Sequence, residues 1–330
     1  MVELQQKQEA GGESARVHTV ILSDTDNDLH AIQYVLWLTG LCHRDGRWRK
    51  GVHGFRVIHT GDWLNKFNPN PEVLDYLRHL QESAPVDCAV HLLVGNHEVE
   101  ILQRSAQGWR SRLSEEQLAF IRQQDVLHVA DQILYLHGYP TLNLLMLLWQ
   151  LQQETGDVGL FNDRFRKAFY EGRYALFREK EGLEIVGDIR HVKQYYLRVG
   201  SDGELYGQQV SRLLQQLGIQ TVIHGHRPNI LIQLDYEFQE EIPQVRIINN
   251  DNKASLTGFG AAIVDRWGNV RFINPKAMFV LGGEKAFRKK IGRVLGTGTG
   301  RKGTGSKRQQ QRALQKEQEA VLGTVSQIEC

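Results

Sequence analysis

Short apolar runs of strand length recur along the chain and are separated by polar loops and by segments with helical spacing. Five of these runs are followed at once by a polar residue that can bind a metal ion or move a proton. The polar residues in question are Asp24, Asp62, Asn96, His137 and His226. After the first run, Leu29, Ile32 and Leu36 recur at helical spacing. Strands that alternate with amphipathic helices are typical of an α/β fold, and we predict that fold class here.

The first half of the chain contains further signals for individual elements. Phe55 to His59 is predicted to be a strand, and a helix is expected to start near Pro71, because proline is favoured in the first helical turn. Ser114 begins a Ser-Glu-Glu-Gln capping box, which predicts another helix. The segments 126–130 and 132–136 are predicted to pair as a hairpin that leads to the fourth polar strand end.

The pattern becomes helical between residues 140 and 184, which predicts a helical insertion over the candidate site. One apolar stripe around Leu148 and a second one around Phe165 are expected to pack in the core, with a substrate-shaping cap as the alternative. Three later runs are predicted to be antiparallel strands: 245–248, 260–265 and 270–273.

The composition fits a globular protein with a substantial core, since 41% of the 330 residues are apolar. Three widely separated cysteines, Cys42, Cys88 and Cys330, indicate neither a disulfide framework nor a thiolate zinc site, which favours a reducing cytoplasm as the location. Residues 1–16 are polar and are expected to form a flexible lead-in. The most apolar run, Leu142 to Leu151, is far shorter than the roughly 20 residues of a membrane span, so no transmembrane segment is predicted.

The formal net charge of +2 hides an asymmetry along the chain. Residues 284–312 contain ten Lys or Arg and a single Glu, and thus carry a net charge of +9. We expect residues 282–330 to be a basic, largely disordered tail that contacts an anionic surface or a partner, or that is simply a solvated extension. Tail charge alone gives only unspecific, salt-dependent association with nucleic acid, so no specific nucleic-acid partner is predicted.

The polar strand ends carry the candidate chemistry. Asp, Asn and His are ligands that suit manganese, iron, zinc or magnesium better than soft metals, and neighbouring strands can bring their ends to one point. The tetrapeptide Gly95-Asn96-His97-Glu98 is the most informative of these ends. We expect it on a loop just beyond a strand, where rigid scaffolds present functional side chains.

Five sequence blocks with this design follow one another in a characteristic order. The blocks are Asp24-Thr25-Asp26, Gly61-Asp62, Gly95-Asn96-His97-Glu98, His137-Gly138 and Gly225-His226. Their order resembles the calcineurin-like metallophosphoesterase superfamily, and most of all its phosphoprotein phosphatase branch with the bacterial and Shewanella-like members. The resemblance implies one domain over residues 17–281, folded as a two-sheet mixed β-sandwich flanked by helices. It also implies a hydrolase of phosphomonoesters that uses two divalent metal ions and acts on small molecules or on phosphoproteins.

The resemblance assigns a role to each matching residue. The residues implied for the first ion are Asp24, Asp26 and Asp62. Those implied for the second ion are Asp62, Asn96, His137 and His226. The catalytic pair would be His97, as general acid, and Asn65, at the position that orients it. The substrate phosphate would be bound by Lys66, Arg198 and Arg227. Manganese is the expected metal, with iron, zinc or magnesium as alternatives.

Two residues depart from the family pattern. Asp26 stands where the family has a histidine ligand, and Asn65 stands where it has the aspartate that orients the general acid. A carboxylate at position 26 shifts the first metal site towards harder ions, and an amide at position 65 offers no negative charge to an imidazolium. Two alternatives to a phosphomonoesterase stay open: a nucleotide or dinucleoside polyphosphate hydrolase, and a non-catalytic phosphate-binding or scaffold protein.

Overall fold

The computed structural model describes the chain in six stretches: 18–174, 198–226, 233–237, 245–251, 261–265 and 270–273. The predicted lead-in at 1–16, the predicted basic tail at 282–330 and Arg227 lie outside the described residues. Within the described part, no helix has the length and apolar character that crossing a membrane requires.

The first sheet is built around three parallel strands, β1 (His18–Leu22), β2 (Phe55–His59) and β3 (Ala89–Leu92). Two antiparallel strands, β9 (Ala261–Val264) and β10 (Val270–Ile273), extend the sheet beyond β1 and give the order β10-β9-β1-β2-β3. Because the parallel strands run in one direction, their carboxyl ends lie at one edge of the sheet.

The second sheet also combines three parallel strands with two antiparallel ones. Its strands are β4 (Leu127–Ala130), β5 (Ile133–Leu136), β6 (Thr221–His224), β7 (Gln233–Glu237) and β8 (Arg246–Asn249). Their order in the sheet is β4-β5-β6-β8-β7. The three central strands β5, β6 and β8 are parallel, whereas β4 and β7 are antiparallel to their neighbours. The predicted hairpin at 126–136 is the antiparallel pair of β4 and β5.

Side chains from both sheets form one apolar layer between them. Ile21 and Ile58 of the first sheet share this layer with Tyr135, Ile223 and Ile248 of the second, and all five are at most 2% exposed. Since successive side chains of a strand point to opposite faces, the other face of each sheet is left to pack against helices. The chain is therefore a two-sheet α/β sandwich, which confirms the predicted fold class.

Helices pack against the outer faces of the two sheets. Those within the described residues are α1 (Leu29–Leu38), α2 (Pro71–Glu82), α3 (Asn96–Ala106), α4 (Glu115–Gln123), α5 (Leu142–Thr155), α6 (Leu160–Tyr170) and α7 (Tyr206–Gln216). Four of them begin with a side-chain oxygen that accepts an N–H of the first turn, which satisfies a donor that the helix itself cannot. These capping residues are Asp28, Asn70, Ser114 and Thr141.

The helices α5 and α6 occupy the described part of the predicted insertion. Their apolar stripes, around Leu148 and Phe165, are buried in the large core cluster, with both side chains at most 4% exposed. The helix α5 packs on α6 and α7, and α6 packs on α4. The two stripes thus serve the core, as predicted, and the rest of the insertion up to residue 184 is not fully described.

Two expectations about local structure are wrong. Asn96 opens α3, so the tetrapeptide at 95–98 is the first turn of a helix and not a loop. The strand at 246–249 was expected to be antiparallel, but it runs parallel to β6 and is antiparallel only to β7. An apolar run does not encode the direction of its neighbour, because direction is set by the connection between the strands. As a result, residues 250 and 251 come to the same edge as the other strand ends.

Candidate active site

Five strand ends from the two sheets meet at one edge of the sandwich. One metal-ligating atom each of Asp62, His137 and His226 lies within 4.8 Å of the other two. Asp62 follows β2 of the first sheet, whereas His137 and His226 follow β5 and β6 of the second. The cluster therefore depends on both sheets, as the carboxyl ends of parallel strands commonly form sites in α/β folds.

The side-chain oxygen of Asn96 completes this cluster. Asn96 Oδ1 lies 2.8 Å from His226 Nδ1 and 3.0 Å from His137 Nε2, and the two nitrogens lie 3.0 Å from each other. Asp62 Oδ1 lies 3.3 Å from the same His137 nitrogen. Since the carboxylate and the amide oxygen carry no hydrogens, lone pairs outnumber the protons available at this point. Such crowding of acceptors is what a bound cation would relieve. We name these four residues the acceptor cluster.

The backbone at several predicted site residues has an uncommon conformation. Asp24, Asp62 and His226 have φ angles of 47°, 54° and 71°, in the left-handed region that few residues other than glycine adopt. Aspartate tolerates this region because its short polar side chain can bond locally. Backbone conformations of this kind cluster at functional sites, where they aim side chains that regular structure could not.

Glycine at position 95 allows two loops to approach each other closely. A Cβ atom at Gly95 would lie 2.2 Å from Asp62 Oδ1 and 2.5 Å from Asp62 N. No side chain fits at this distance, so the residue type is dictated by the position of the Asp62 carboxylate.

The buried side chain of Glu98 bonds to the main chain of the same two loops. Its side chain is fully buried and accepts the main-chain N–H groups of Asp62 (3.0 Å), Leu64 (3.0 Å) and Gly95 (2.8 Å). Burial and the nearby Asp62 carboxylate raise the pKa of Glu98 to about 7. Sequence reasoning placed Glu98 in a motif without giving it a function. The spacing of Gly95 and Glu98, which matches the cap and third position of a capping box, was the available signal.

The imidazole of His97 lies next to the cluster. Its main-chain N–H donates to Asp62 Oδ1 at 2.9 Å, and its ring Nε2 lies 3.4 Å from Asp62 Oδ2. On the other side of the ring, Nδ1 donates to the Leu64 carbonyl at 3.0 Å and lies 3.0 Å from Asp26 Oδ1. Burial opposes the charged form, but the Asp26 and Asp62 carboxylates outweigh it and raise the pKa of His97 to about 9.

Asp24 lies beside the cluster and is backed by a residue that the sequence did not single out. The Asp24 carboxylate accepts the His226 main-chain N–H at 3.0 Å and is also bonded by the Ser23 hydroxyl. Burial and the charge of Asp251 raise the pKa of Asp24 well above its usual value. Asp251 follows β8 and is 1% exposed. The apolar run before Asn250 and Asp251 was the signal for a sixth polar strand end.

Comparison of the sequence with models of protein families identifies the family of this chain. The sequence model for calcineurin-like phosphoesterases matches residues 20–229, which is more than half of the chain. The chain belongs to the calcineurin-like phosphoesterase family. It is thus a member of a family of metal-dependent hydrolases, and the family predicted from the sequence blocks is confirmed.

Solved structures of calcineurin-like folds agree with this assignment. A cold-active protein tyrosine phosphatase of the psychrophile Shewanella sp. shares 15% identity, covers 78% of this chain and 80% of its own, and gives a TM-score of 0.54. A point mutant of a cold-active protein tyrosine phosphatase gives 14% identity, coverage of 78% and 80%, and a TM-score of 0.51. At such identities the likeness establishes the fold alone. No curated protein sequence matches the chain.

The side chains of the acceptor cluster shift one another's pKa values. Burial opposes a proton on His137, but Asp62 outweighs it and raises the pKa of His137 to about 10. The same contact with His137 overcomes burial at Asp62 and holds the pKa of that carboxyl well below its usual range. Burial and His137 together lower the pKa of His226 to about 3. Asp62 and His137 thus favour opposite charges and attract each other at the centre of the cluster.

Two predicted residues beside the site are engaged with other partners. The Asn65 side-chain oxygen accepts the main-chain N–H of Phe67 at 3.1 Å and of Asn68 at 3.2 Å, so it stabilises its own loop and not His97. Lys66 Nζ lies 3.3 Å from Glu100 Oε1.

The structure does not test the phosphate-binding role predicted for two arginines. The Arg198 side chain is exposed and lies over the ring of Tyr206, with 5.4 Å between the guanidinium carbon and the ring centre. The structure gives Arg198 no contact with the described residues of the acceptor cluster. Arg227 lies outside the described residues. Both stay predictions.

Proposed function

We propose that the chain is a metal-dependent phosphomonoesterase whose substrates are phosphorylated small molecules or phosphoproteins. The observation that carries the proposal is the acceptor cluster itself, with the imidazole of His97 beside it. A carboxylate, an amide oxygen and two imidazoles converge at distances of 2.8 to 3.3 Å, which no set of shared protons satisfies.

The proposed metal ligands follow from this convergence. Asp62, Asn96, His137 and His226 would hold one divalent ion. Asp24 and Asp62 would serve a second one, for which the sequence also predicts Asp26. Mixed oxygen and imidazole donors fit manganese, iron, zinc or magnesium, and manganese is our first choice. When bound, such ions supply Lewis acidity and neutralise charge on the phosphoryl oxygens.

His97 would act as the general acid. Its Nδ1 is held by the Leu64 carbonyl, so its Nε2 faces the cluster and is the atom that carries the mobile proton. With a pKa of about 9 the ring is protonated at neutral pH. A water-derived oxygen would bond to phosphorus as the bond between phosphorus and the leaving oxygen breaks. Nε2 would give its proton to that leaving oxygen, so that the products are an alcohol and inorganic phosphate.

Substrate phosphate would be bound by cationic side chains around the cluster, for which Lys66, Arg198 and Arg227 are the candidates. Lys66 would first have to leave Glu100, because its ammonium group is now 3.3 Å from that carboxylate. A lysine supplies charge without the two-pronged geometry of arginine, so it imposes less order on the bound phosphate.

The test measures bound metal and turnover of p-nitrophenyl phosphate in the same preparations, with manganese, magnesium, zinc or no added ion. We expect metal-dependent turnover, and we expect Asp62→Asn to lose both bound metal and more than about 100-fold in turnover, because a ligand shared by the whole cluster is altered. Asp45→Asn is the matched control, since the Asp45 carboxylate forms a surface ion pair with Arg47. Full turnover in Asp62→Asn would overturn the proposal.

A substrate panel then separates the phosphomonoesterase from the nucleotide and dinucleoside polyphosphate hydrolases. The panel contains phosphopeptides, nucleotides and a dinucleoside tetraphosphate. Tight binding of metal and phosphopeptide without turnover of any compound would instead identify a non-catalytic phosphate-binding protein.

A further inference from the structure

The ring of His97 lies between two carboxylates, one at each nitrogen. Asp62 Oδ2 is 3.4 Å from Nε2, and Asp26 Oδ1 is 3.0 Å from Nδ1. The His97 side chain is only 16% exposed, so few other groups can reach it. An imidazole that gives up a proton at one nitrogen is oriented by what its other nitrogen contacts. The Nδ1 side is therefore where a positioning group must be sought.

Main-chain hydrogen bonds fix the loop that brings Asp26 to this ring. The N–H of Asp26 donates to the Asp62 carbonyl, and the N–H of Asn27 donates to the Trp63 carbonyl, both at 3.1 Å. The loop after β1 thus runs alongside the loop after β2, which also supplies the Leu64 carbonyl to His97. Asp26 itself has a φ angle of 47°, so its backbone is turned into an uncommon conformation at this contact.

Besides Asp26, the Leu64 carbonyl contacts Nδ1 at 3.0 Å but carries no negative charge, and Asn65, the position that the family pattern assigns to the orienting group, is already occupied. The oxygen of Asn65 accepts two main-chain N–H groups of its own loop, which uses both of its lone pairs. Asp26 Oδ1 is buried and accepts no hydrogen bond from any other described group. Its position beside Nδ1 of His97 thus leaves it one partner among the described groups, the imidazole ring of His97.

We propose that Asp26 is the positioning residue of His97, and that it holds the ring with Nε2 towards the acceptor cluster instead of ligating a metal ion. Among the described residues, Asp62, His137 and His226 form a group whose ligand atoms lie within 4.8 Å of one another, and Asp26 does not belong to it. The carboxylate that the imidazole requires is thus supplied by the loop after β1, and position 65 is free to stabilise its own loop.

The proposal predicts that the effect of changing Asp26 on turnover depends on the leaving group of the ester. This prediction rests on the proposed function. A positioning residue matters most when the leaving oxygen needs a proton and matters little when it leaves as a stable anion. A metal ligand matters for both kinds of ester. Phenyl phosphate and 2,4-dinitrophenyl phosphate, which have poor and good leaving groups, therefore distinguish the two roles.

The experiment compares the full-length magnesium-loaded protein with Asp26→Asn and with Asp28→Asn as the matched control. Asp28→Asn removes a charge from the same loop but keeps the cap of α1, because asparagine caps as well as aspartate. We expect Asp26→Asn to retain its metal, to lose roughly 10- to 100-fold in kcat for phenyl phosphate, and to change little for the dinitrophenyl ester.

A loss of one metal equivalent, or an equal loss of turnover on both esters, would overturn the proposal. A second readout needs no turnover. In protein labelled with nitrogen-15 histidine, the ring signals of His97, identified with His97→Gln, should shift in Asp26→Asn and stay in place in Asp28→Asn. An unchanged ring spectrum in Asp26→Asn also overturns it. If the unaltered chain hydrolyses neither ester with manganese, magnesium or zinc, the proposed function fails, and the ring spectrum and metal content alone decide the role of Asp26.

Discussion

The buried carboxylate of Glu98 accepts the main-chain N–H of Asp62 at 3.0 Å, and the same carboxylate bonds two further N–H groups. Replacing it by Glu98→Gln puts an amide NH₂ where one of these donors needs an acceptor. We expect the free energy of unfolding to fall by about 2–4 kcal/mol, because a charged hydrogen bond is lost and a buried donor is left unpaired. Urea denaturation measures this change, and Glu115→Gln on the exposed surface is the control.

Gly95→Ala should damage the site by direct contact. The added methyl group would lie 2.2 Å from Asp62 Oδ1 and 2.5 Å from Asp62 N, and the second of these atoms belongs to the backbone and cannot move cheaply. We expect a loss of about 2–3 kcal/mol in stability, typical of overpacking, together with loss of bound metal. Gly159→Ala is the control, since the three atoms nearest to its methyl group would belong to the movable carboxylate of Asp157. Normal metal content in Gly95→Ala would contradict the tight packing of these loops.

Metal removal should lower stability as well as activity. An ion that binds only the folded chain stabilises it by about 2.7 kcal/mol at 100 times its Kd, so EDTA should lower the Tm and added metal should restore it. His137→Ala should abolish this response, because it removes the nitrogen at the centre of the acceptor cluster. His43→Ala, at an exposed residue, should respond as the unaltered protein does. An undiminished response in His137→Ala would show that the ion binds elsewhere.

A stacked histidine pair away from the site should make the fold sensitive to acid. His91 of β3 and His128 of β4 stack with ring centres 3.8 Å apart and join the edges of the two sheets. Burial, with a contribution from Arg56, lowers the pKa of His91 to about 4, and burial together with His91 lowers that of His128 to about 3.

Both rings are therefore neutral in the folded chain, whereas they bind protons near pH 6.5 when unfolded. Their contribution to stability is complete above about pH 6.5 and is lost as the pH falls towards 4. We expect the urea midpoint to fall between pH 7.5 and 5, and to fall less in the His91→Phe, His128→Phe double variant. His79→Gln, at an exposed residue, should leave the pH dependence unchanged. An equal decline in all three proteins would assign the acid sensitivity to other groups.

Apolar patterning predicted most of the elements. The strand Phe55–His59 and the capping box at Ser114 occur where the pattern places them, because burial and local hydrogen bonding both depend on nearby residues. The start of α3 at Asn96 was missed, since the apolar run before it continues to Val94 and the polar residues after it look like a loop. The strand β7 was missed as well.

The site was harder to predict than the fold. Sequence blocks identify Asp62, Asn96, His137 and His226, and the structure brings these four together. The contact of Asp26 with His97 could not be predicted from the sequence. It depends on main-chain turns in the two loops, and the spacing of apolar residues carries no information about such turns. Asp251 was missed because its strand was given the wrong direction.

The strand β9 has a consequence for how the chain is made. It pairs Val264 with Thr19 and so completes, beside β1, the sheet that supplies Asp24 and Asp62. During synthesis the first strands leave the ribosome long before β9 exists, and contacts so distant in sequence form slowly. A nascent chain that stops before residue 261 would hold every ligand proposed here and still lack part of the sheet beneath them. Activity should thus appear only after the whole domain has been released, and truncation from the carboxyl end should be far less tolerated than the location of the ligands suggests.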